Sequence, residues 1–408
     1  MNDAFPAFPY YNGKRLHIGV CGSVAAYKLC ALARRFKETG LDVGATLTES
    51  AARFVTPLTF SALGADPVYT QMFGRDNSVF AHLEPGQTSQ LLLIAPATAA
   101  TMARLAAGMA DEILSCQTLA FDGPVLLAPA MNAKMWANPA TQANKEKLQE
   151  LGFFFIEPSQ GKLACGETGQ GRLADEIQIY YAALKLLTEP DMFGKKVLIT
   201  LGPTREAWDA VRFWTNGSSG AMGHALALAA WLRGAEVYVV SGPVSQTFPD
   251  SDGQCTVLPV TNAEEMFRRC DELWPEMDMG IFTAAVADFR PIPYGTDKFK
   301  KEGHSGFSIE FAPNTDILLT LGAEKNNGQR VMGFAAETGT EEDLKKAARR
   351  KLEAKNCDML VGNRVSDGFG TDSDKVFVTD INGNEESLPV MPKTALAWEL
   401  LTRFLMLG

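Results

Sequence analysis

Two stretches in the first half of the chain, with one histidine upstream of them, hold side chains able to do chemistry together. Pro129-Ala130-Met131-Asn132-Ala133-Lys134-Met135-Trp136 follows an apolar run and carries an amide, Asn132. Gly161-Lys162-Leu163-Ala164-Cys165-Gly166 carries a thiol, Cys165, and the flanking glycines Gly166, Gly169 and Gly171 describe a mobile loop on which a thiol is accessible. His82, in Phe80-Ala81-His82-Leu83, brings an imidazole, which exchanges protons near neutral pH. A base, an amide anchor and a thiol form a reactive site if they converge. Singly, each has a plainer reading: Cys165 as a small buried hydrophobe, Asn132 as a residue bonding a turn backbone, His82 as a surface imidazole.

Other stretches fit anions. Gly22-Ser23-Val24-Ala25 follows an apolar run and opens a helix, which suits a phosphate, or is a tight turn with a serine cap. Ala95-Pro96-Ala97-Thr98 ends another apolar run and would face the same ligand, or is a strand stopped by proline and capped by threonine. No GxGxxG fingerprint and no GxxxxGK[ST] occurs, which argues against an ATPase P-loop. In the second half, Asn216-Gly217-Ser218-Ser219-Gly220 leads into a helix, a second anion candidate or a flexible capped turn. Asp288 closes Ala284-Ala285-Val286-Ala287-Asp288, placed to hold a hydroxyl, a base or a metal, or to cap a helix. Lys298, Lys300 and Lys301 cluster in a glycine- and proline-containing stretch: solvated charges, or the local charge a triphosphate requires on a loop that closes over it. Lys351 and Lys355, four apart, share one helix face that ordinarily meets solvent.

Something must position these groups, and the apolar rhythm says what. Short apolar runs at 17–21, 43–47, 91–95, 125–128 and 153–156 read as strands, alternating with helical patterns such as Val24, Leu29, Leu32 and Phe36, which stop at Gly40. Such alternation predicts an α/β fold with a parallel sheet covered on both faces. The pattern restarts after a polar stretch containing Pro190 and Gly194, with strands at 197–201, 237–240, 279–283, 331–334 and 359–361 and a helix over 222–233. Two domains are expected, 1–190 and 191–408. The connection from Gly202 to Gly220 is long for a βα loop and is expected to be functional. In open parallel sheets ligands bind at the carboxyl ends of the strands, where the motifs above fall.

Bulk properties narrow the class. The 408 residues exceed the size of one growing core. A net charge of −10 argues against a nucleic-acid partner or an anionic membrane surface. The longest apolar runs fall far short of the ~20 residues that span a bilayer. Residues 1–12 have two prolines and no basic region, unlike a signal peptide. Seven cysteines without a CxxC read as reduced thiols, so a cytoplasmic protein is expected.

The runs GSVAAYK (22–28), PAMNAKMW (129–136) and GKLACGETGQGR (161–172) resemble the flavin-dependent cysteine decarboxylases. In order and spacing they are similar to the decarboxylase half of the bifunctional phosphopantothenoylcysteine decarboxylase/phosphopantothenate–cysteine ligase family of coenzyme A synthesis. The resemblance implies FMN at the strand ends, held by Gly22, Ser23, Ala25, Thr48, Ala97 and Thr98. It implies that His82 is the base, that Asn132 and Met135 hold the substrate carboxylate, and that Cys165 donates a proton. Cysteine's carboxylate cannot leave directly, because the carbanion would be unstabilised. Hydride transfer to FMN makes a thioaldehyde, an electron sink; loss of CO₂ gives an enethiolate, which is protonated and reduced by the same flavin. Ala100 stands where the family usually has asparagine.

From Lys195 through Gly333-Phe334-Ala335-Ala336-Glu337-Thr338 to Asp358 the chain resembles the ligase half. That implies two Rossmann-like/flavodoxin-like parallel-sheet domains in tandem, with 4'-phosphopantothenate, CTP and cysteine as substrates. CTP would activate the carboxylate as an acyl cytidylate, which cysteine's amine attacks. Ala284, Asp288, Lys298, Asn314, Thr315, Asp316, Ile317, Phe334, Lys351 and Lys355 would bind CTP, with Lys298 aiding cytidylate formation. Asn216 would polarise the acyl intermediate, Arg212 would bind substrate, and Mg²⁺ would bridge the phosphates near Asp288. A homo-oligomer is implied, trimeric through the first domain and dimeric through the second. Thr315, Ala207 and Ala210 replace family prolines, and Ala221 stands where a lysine or arginine is common. Two other readings stay open: a flavin-dependent decarboxylase of peptide C-terminal cysteines, and a flavoprotein-like regulatory module without the chemistry.

Overall fold

Apolar runs fold as the strands β1 (Arg15–Val20), β2 (Asp42–Leu47), β4 (Leu91–Ala97) and β5 (Val125–Pro129), largely buried, with the two-residue β3 (Val68–Tyr69) and the partly exposed β6 (Phe154–Phe155) at the edges. The computed structural model describes residues 7–73, 79–162, 166–248, 253–300, 306–368 and 371–407. The chain separates into two compact units, Met1–Glu189 and Pro190–Gly408. In the first, six parallel strands lie in the order β3-β2-β1-β4-β5-β6. The order reverses between β1 and β4, and at such a switch point a crevice opens at the carboxyl ends.

The helix expected from Val24 starts as a 3-10 turn, Val24–Tyr27, and becomes α-helical over Lys28–Glu38. It buries Leu29, Leu32, Ala33 and Phe36 on one face, and Gly40 ends it with φ +93°, the left-handed conformation glycine adopts without strain. Beyond the sheet, β7 (Ser159–Lys162) and β8 (Thr168–Arg172) pair as an antiparallel hairpin. Of the glycines Gly166, Gly169 and Gly171 expected to form a mobile loop, Gly169 and Gly171 are therefore strand, while Gly166 lies in the bend before β8 with φ +89°.

The second unit repeats the plan. Its strands are β9 (Lys196–Leu201), β10 (Arg205–Ala207), β11 (Phe213–Thr215), β12 (Glu236–Ser241), β13 (Cys255–Pro259), β14 (Met279–Phe282), β15 (Phe289–Pro291), β16 (Phe311–Pro313), β17 (Arg330–Glu337), β18 (Met359–Arg364), β19 (Ser373–Asp380) and β20 (Glu385–Pro392). The large sheet runs β13-β12-β9-β14-β17-β18-β19-β20. Through β18 it is parallel, with the chain order of the first unit; β19 and β20 extend it antiparallel. The long connection from Gly202 to Gly220 contains the β10–β11 hairpin, whose turn is made by Asp209 accepting from the amides of Val211 (2.8 Å) and Arg212 (2.7 Å). No helix of the described residues is long and apolar enough to cross a membrane.

One buried residue gives the first unit a pH dependence. His17, on β1, is 1% exposed, and burial pushes its imidazole down to about 3. The ring is neutral when folded but takes a proton near pH 6.5 when unfolded. Its contribution is therefore fully present above about 6.5 and is lost as pH falls toward 3, at up to about 1.4 kcal/mol per pH unit. The urea midpoint of the first unit is expected to fall between pH 7 and 5, and His17→Gln to flatten that slope.

Candidate active sites

The carboxyl ends of β1, β2, β4 and β5 open onto a cavity of about 1010 Å³, lined by Gly22, Ser23, Thr48, Thr98, Met131 and Met135 among others. A Cβ at Gly22 would lie 2.4 Å from the Ser50 Cβ, so only glycine lets the turn after β1 lie against the turn after β2. Ser23 caps its turn, its Oγ accepting from the Ala25 amide (3.4 Å), and Thr98 caps the helix Ala99–Ala106, accepting from Thr101 (3.3 Å). Cap and cavity wall are here the same residues. Ala100 lines the cavity as well.

Two residues expected at the cavity are not among those that line it. Ala25 has its amide on Ser23, and Ala97 is buried in β4 with its carbonyl accepting from Ala130 (3.1 Å); neither lines the cavity. Arg104 and Glu112, which the motifs did not single out, do line it. Arg104 lies 3.5 Å from Asp111. Glu112 Oε1 is buried without a hydrogen-bond partner among the described residues, and burial pushes its carboxyl above the ordinary range, opposed by Arg104. The available signal was the acidic pair Asp111-Glu112 directly before the apolar helix Ile113–Leu119.

The hairpin joins the two chemical stretches. The Met131 amide donates to Gly171 O (2.9 Å); a Cβ at Gly171 would sit 2.3 Å from Met131 O, and one at Gly169 would sit 2.7 Å from the Ala133 Cβ. Those glycines serve close packing rather than looseness. Gly171→Ala is expected to push β8 off 131–133 and to lower the thermal midpoint of the first unit, which calorimetry would read. Asn132 caps the short helix Ala133–Trp136, its Oδ1 accepting from Lys134 (2.8 Å), while its Nδ2 donates to Glu167 Oε2 (2.8 Å). Lys134 Nζ reaches Glu167 Oε1 at 3.0 Å, and these two contacts, the Asn132 bond first, hold the Glu167 carboxyl below its usual value. Cys165 lies outside the described residues.

His82 is half-buried in a four-residue turn closed by the Leu83 amide on Phe80 O (2.8 Å). Neither it nor Asn132 is among the cavity-lining residues, whereas Met131 and Met135 are. Ala81, next to His82, packs with Tyr69, Ile113 and Met72, two of which form the cavity wall.

In the second unit a cavity of about 180 Å³ is lined by the glycine/serine loop 217–223, Thr283, Ala284, Phe334, Asn363, Asp374 and Lys393. The loop leads into the helix Ala221–Leu232, where Gly223 fits because a Cβ would meet Thr283 Oγ1 at 2.3 Å. Of the expected nucleotide contacts only Ala284 and Phe334 line it. Asn216 is exposed, its Nδ2 donating to Ala285 O (3.2 Å) and Val286 O (3.1 Å), so both amide hydrogens hold the loop after β14. Asp288 is exposed six residues beyond β14 rather than closing it, and its carbonyl accepts from the Asn314 amide (2.9 Å). Asn314 Nδ2 also donates to Ala287 O (2.7 Å). Thr315 is exposed and Ile317 buried; Asp316 caps the helix Ile317–Ala323 and takes Lys355 Nζ at 2.8 Å. Lys351 pairs with Glu337 at 2.7 Å, so both lysines reach back across the fold instead of into solvent.

Lys298 is exposed and outside the cavity lining, but the expected flap is pinned beside it. The Phe299 amide donates to Asp209 Oδ2 (3.1 Å), and its ring packs with Trp208 and Phe307. Arg212 is taken by the same carboxylate (2.9 Å) and lies over Trp208, away from the cavity. Asn363, Asp374 and the buried Lys393 had no sequence signal, because only the packing of β18, β19 and the last helix brings them to the cavity. Lys393 Nζ donates to Gly368 O (2.9 Å), and burial lowers its pKa. Among the described residues no group of three or more His, Cys, Asp or Glu is placed to hold a metal ion.

Residues 10–187 match the model of the Flavoprotein family, and residues 192–407 that of the DNA/pantothenate metabolism flavoprotein C-terminal domain. Over 397 residues the chain is 43% identical to the coenzyme A biosynthesis bifunctional protein CoaBC of Bacillus subtilis, covering 96% of each. It is 40% identical over 394 residues to that of Vibrio vulnificus, covering 95% of this chain and 96% of the relative. A crystal structure of the C-terminal domain of a CoaBC protein is 37% identical over 53% of this chain and 96% of that one, with a TM-score of 0.45. Matched by both domain models in tandem and by relatives over nearly their whole length, the chain belongs to the family of bifunctional coenzyme A biosynthesis enzymes, which join a phosphopantothenoylcysteine decarboxylase to a phosphopantothenate–cysteine ligase.

Proposed function

We propose that the second unit ligates cysteine to 4'-phosphopantothenate with CTP, through an acyl cytidylate, and that the first unit decarboxylates the product with FMN to 4'-phosphopantetheine. The observation that carries this reading is a pair of separate cavities, each at the carboxyl edge of a sheet with the same parallel strand order. In the first, the donor set fits FMN: Ser23, Thr98 and two helix starts for a phosphate, Met131 and Met135 for an apolar ring, and the orphaned Glu112 Oε1 for a polar group of the flavin. FMN, when bound, takes up a hydride from the substrate and returns it.

The residues do the rest. The Asn132 amide anchors the substrate carboxylate; a carboxylate already sits on it, that of Glu167, which the substrate displaces. Met135 closes over the substrate, His82 removes a proton and Cys165 supplies one. On this reading the protein is a homo-oligomer, trimeric through this unit, in which His82, absent from the lining of its own chain's cavity, serves the site of a neighbouring copy.

In the ligase unit the glycine/serine loop faces the triphosphate and Ala284 and Phe334 line the nucleotide site, while Asp288, Asn314, Asp316 and Lys355 are read as nucleotide contacts made outside that cavity. Asp288 would hold a Mg²⁺, which would supply positive charge to the phosphates. Lys298 and Arg212, both away from the cavity, reach substrate on closure or from the second subunit of a dimer. A decarboxylase of peptide cysteines would leave this second unit without a role.

Purified protein is expected to absorb near roughly 450 nm, as flavins do. Given phosphopantothenate, CTP and cysteine it should release both pyrophosphate and CO₂. Pyrophosphate without CO₂ would reduce the first unit to a binding module. CO₂ only from a peptide ending in cysteine would favour the peptide decarboxylase.

A further inference from the structure

A line of four buried groups crosses the first unit and ends at the peptide that carries His82. His17 Nε2 meets Thr46 Oγ1 at 2.7 Å; Thr46 Oγ1 donates to Gln117 Oε1 at 2.7 Å; Gln117 Nε2 donates to Ala81 O at 2.8 Å. His17 is 1% exposed, and Thr46, Gln117 and Ala81 are 0% exposed. The hydroxyl has one proton and gives it to Gln117, so His17 donates through Nε2 and the chain runs in one direction. Burial keeps the imidazole neutral, so the donation is made by the tautomer protonated at Nε2. The space is committed too: a Cβ at Gly44 would lie 2.6 Å from His17 Nδ1.

Ala81 O belongs to the peptide joining Ala81 to His82. In the turn closed by Leu83 on Phe80, that peptide plane sets the direction in which the His82 side chain leaves the backbone. The turn is also held by the Glu84 amide on Phe80 O (3.0 Å), by the Ala81 methyl among Tyr69, Ile113 and Met72, and by the Tyr69 hydroxyl on the Glu84 carboxylate. Apolar packing is non-directional and sets where a turn sits more than how its peptide planes are oriented. A buried amide that donates to one carbonyl fixes that orientation, and it does so firmly because its own acceptor is satisfied from behind.

We propose that Gln117, backed by Thr46 and His17, is a positioning residue that holds the Ala81–His82 peptide so that the imidazole is aimed at the reacting substrate. The inference rests on the assignment of His82 as the base of the decarboxylation. It gives a role to a polar line that crosses a sheet otherwise filled by apolar side chains, where an unpaired polar group would be costly.

The test uses the full-length, FMN-loaded enzyme, with ligase turnover as a control for the second unit and the visible flavin band as a control for the first. Gln117→Leu is expected to lower kcat for decarboxylation at least tenfold while KM changes less than about twofold. Thr46→Val, which removes one hydroxyl, should lower kcat about threefold to tenfold. Combined with His82→Asn, Gln117→Leu should cause no further loss, since it acts only through that imidazole. If Gln117→Leu fails to fold or to retain flavin, Thr46→Val decides alone, and an unchanged kcat in it overturns the proposal. Decarboxylation within twofold of wild type in Gln117→Leu, with His82→Asn inactive, overturns the positioning role and leaves His82 as the base. An active His82→Asn removes the assignment of the base and the inference with it.

Discussion

His82→Asn is expected to abolish decarboxylation while pyrophosphate release stays at the wild-type rate. A positioned base contributes typically about 10²–10⁴ in rate, which corresponds to roughly 3–5 kcal/mol of barrier. Asparagine is close in size and cannot take a proton near neutral pH. Little else should change, because the ring is half-exposed and the turn is held by the Leu83 amide, the Ala81 methyl and Gln117, none of which the substitution touches. The ligase cavity is built wholly from residues of the other unit. CO₂ and pyrophosphate, followed on one preparation, separate the outcomes. Loss of both in soluble, flavin-loaded protein would mean either that the units are not independent or that the role is wrong.

Lys298→Gln should do the reverse. The ammonium is exposed in the free protein, where an ion pair is worth only about 0–1 kcal/mol. Against a desolvated triphosphate a charge-assisted contact is stronger, and losing ~3 kcal/mol of transition-state stabilisation lowers cytidylate formation by roughly 10². The anchor beside it makes the experiment clean: Phe299 stays on Asp209 and among Trp208 and Phe307, so glutamine removes the charge without releasing the segment. Decarboxylation of supplied phosphopantothenoylcysteine should not move. A ligase rate within about threefold of wild type, a loss below ~1 kcal/mol, would return Lys298 to a solvated surface charge.

The sequence by itself determined the parts whose cause is local. Runs such as Leu91-Leu92-Leu93-Ile94 must be covered on both faces, so they become interior parallel strands, and the residues just past their ends, Gly22, Ser23 and Thr98, must sit on a carboxyl edge. The motif runs are long enough to mark the family. Where polar groups find their partners was not local, and only the tertiary structure decided it. Gly169 and Gly171, which looked like the makings of a loose loop, are hairpin residues, because β8 must come within contact of Met131 and Ala133. Lys351 and Lys355 look solvent-facing from their spacing, yet Glu337 and Asp316 arrive from other elements to meet them. The turn that carries His82 sits where Tyr69, Met72 and Ile113 receive the Ala81 methyl, which the sequence around His82 does not announce. Periodicity reports which face of an element is apolar. The partner of a buried Gln117, Glu112 or Lys393 depends on which strands lie side by side, and the order β3-β2-β1-β4-β5-β6 is settled by packing between elements rather than within any one of them.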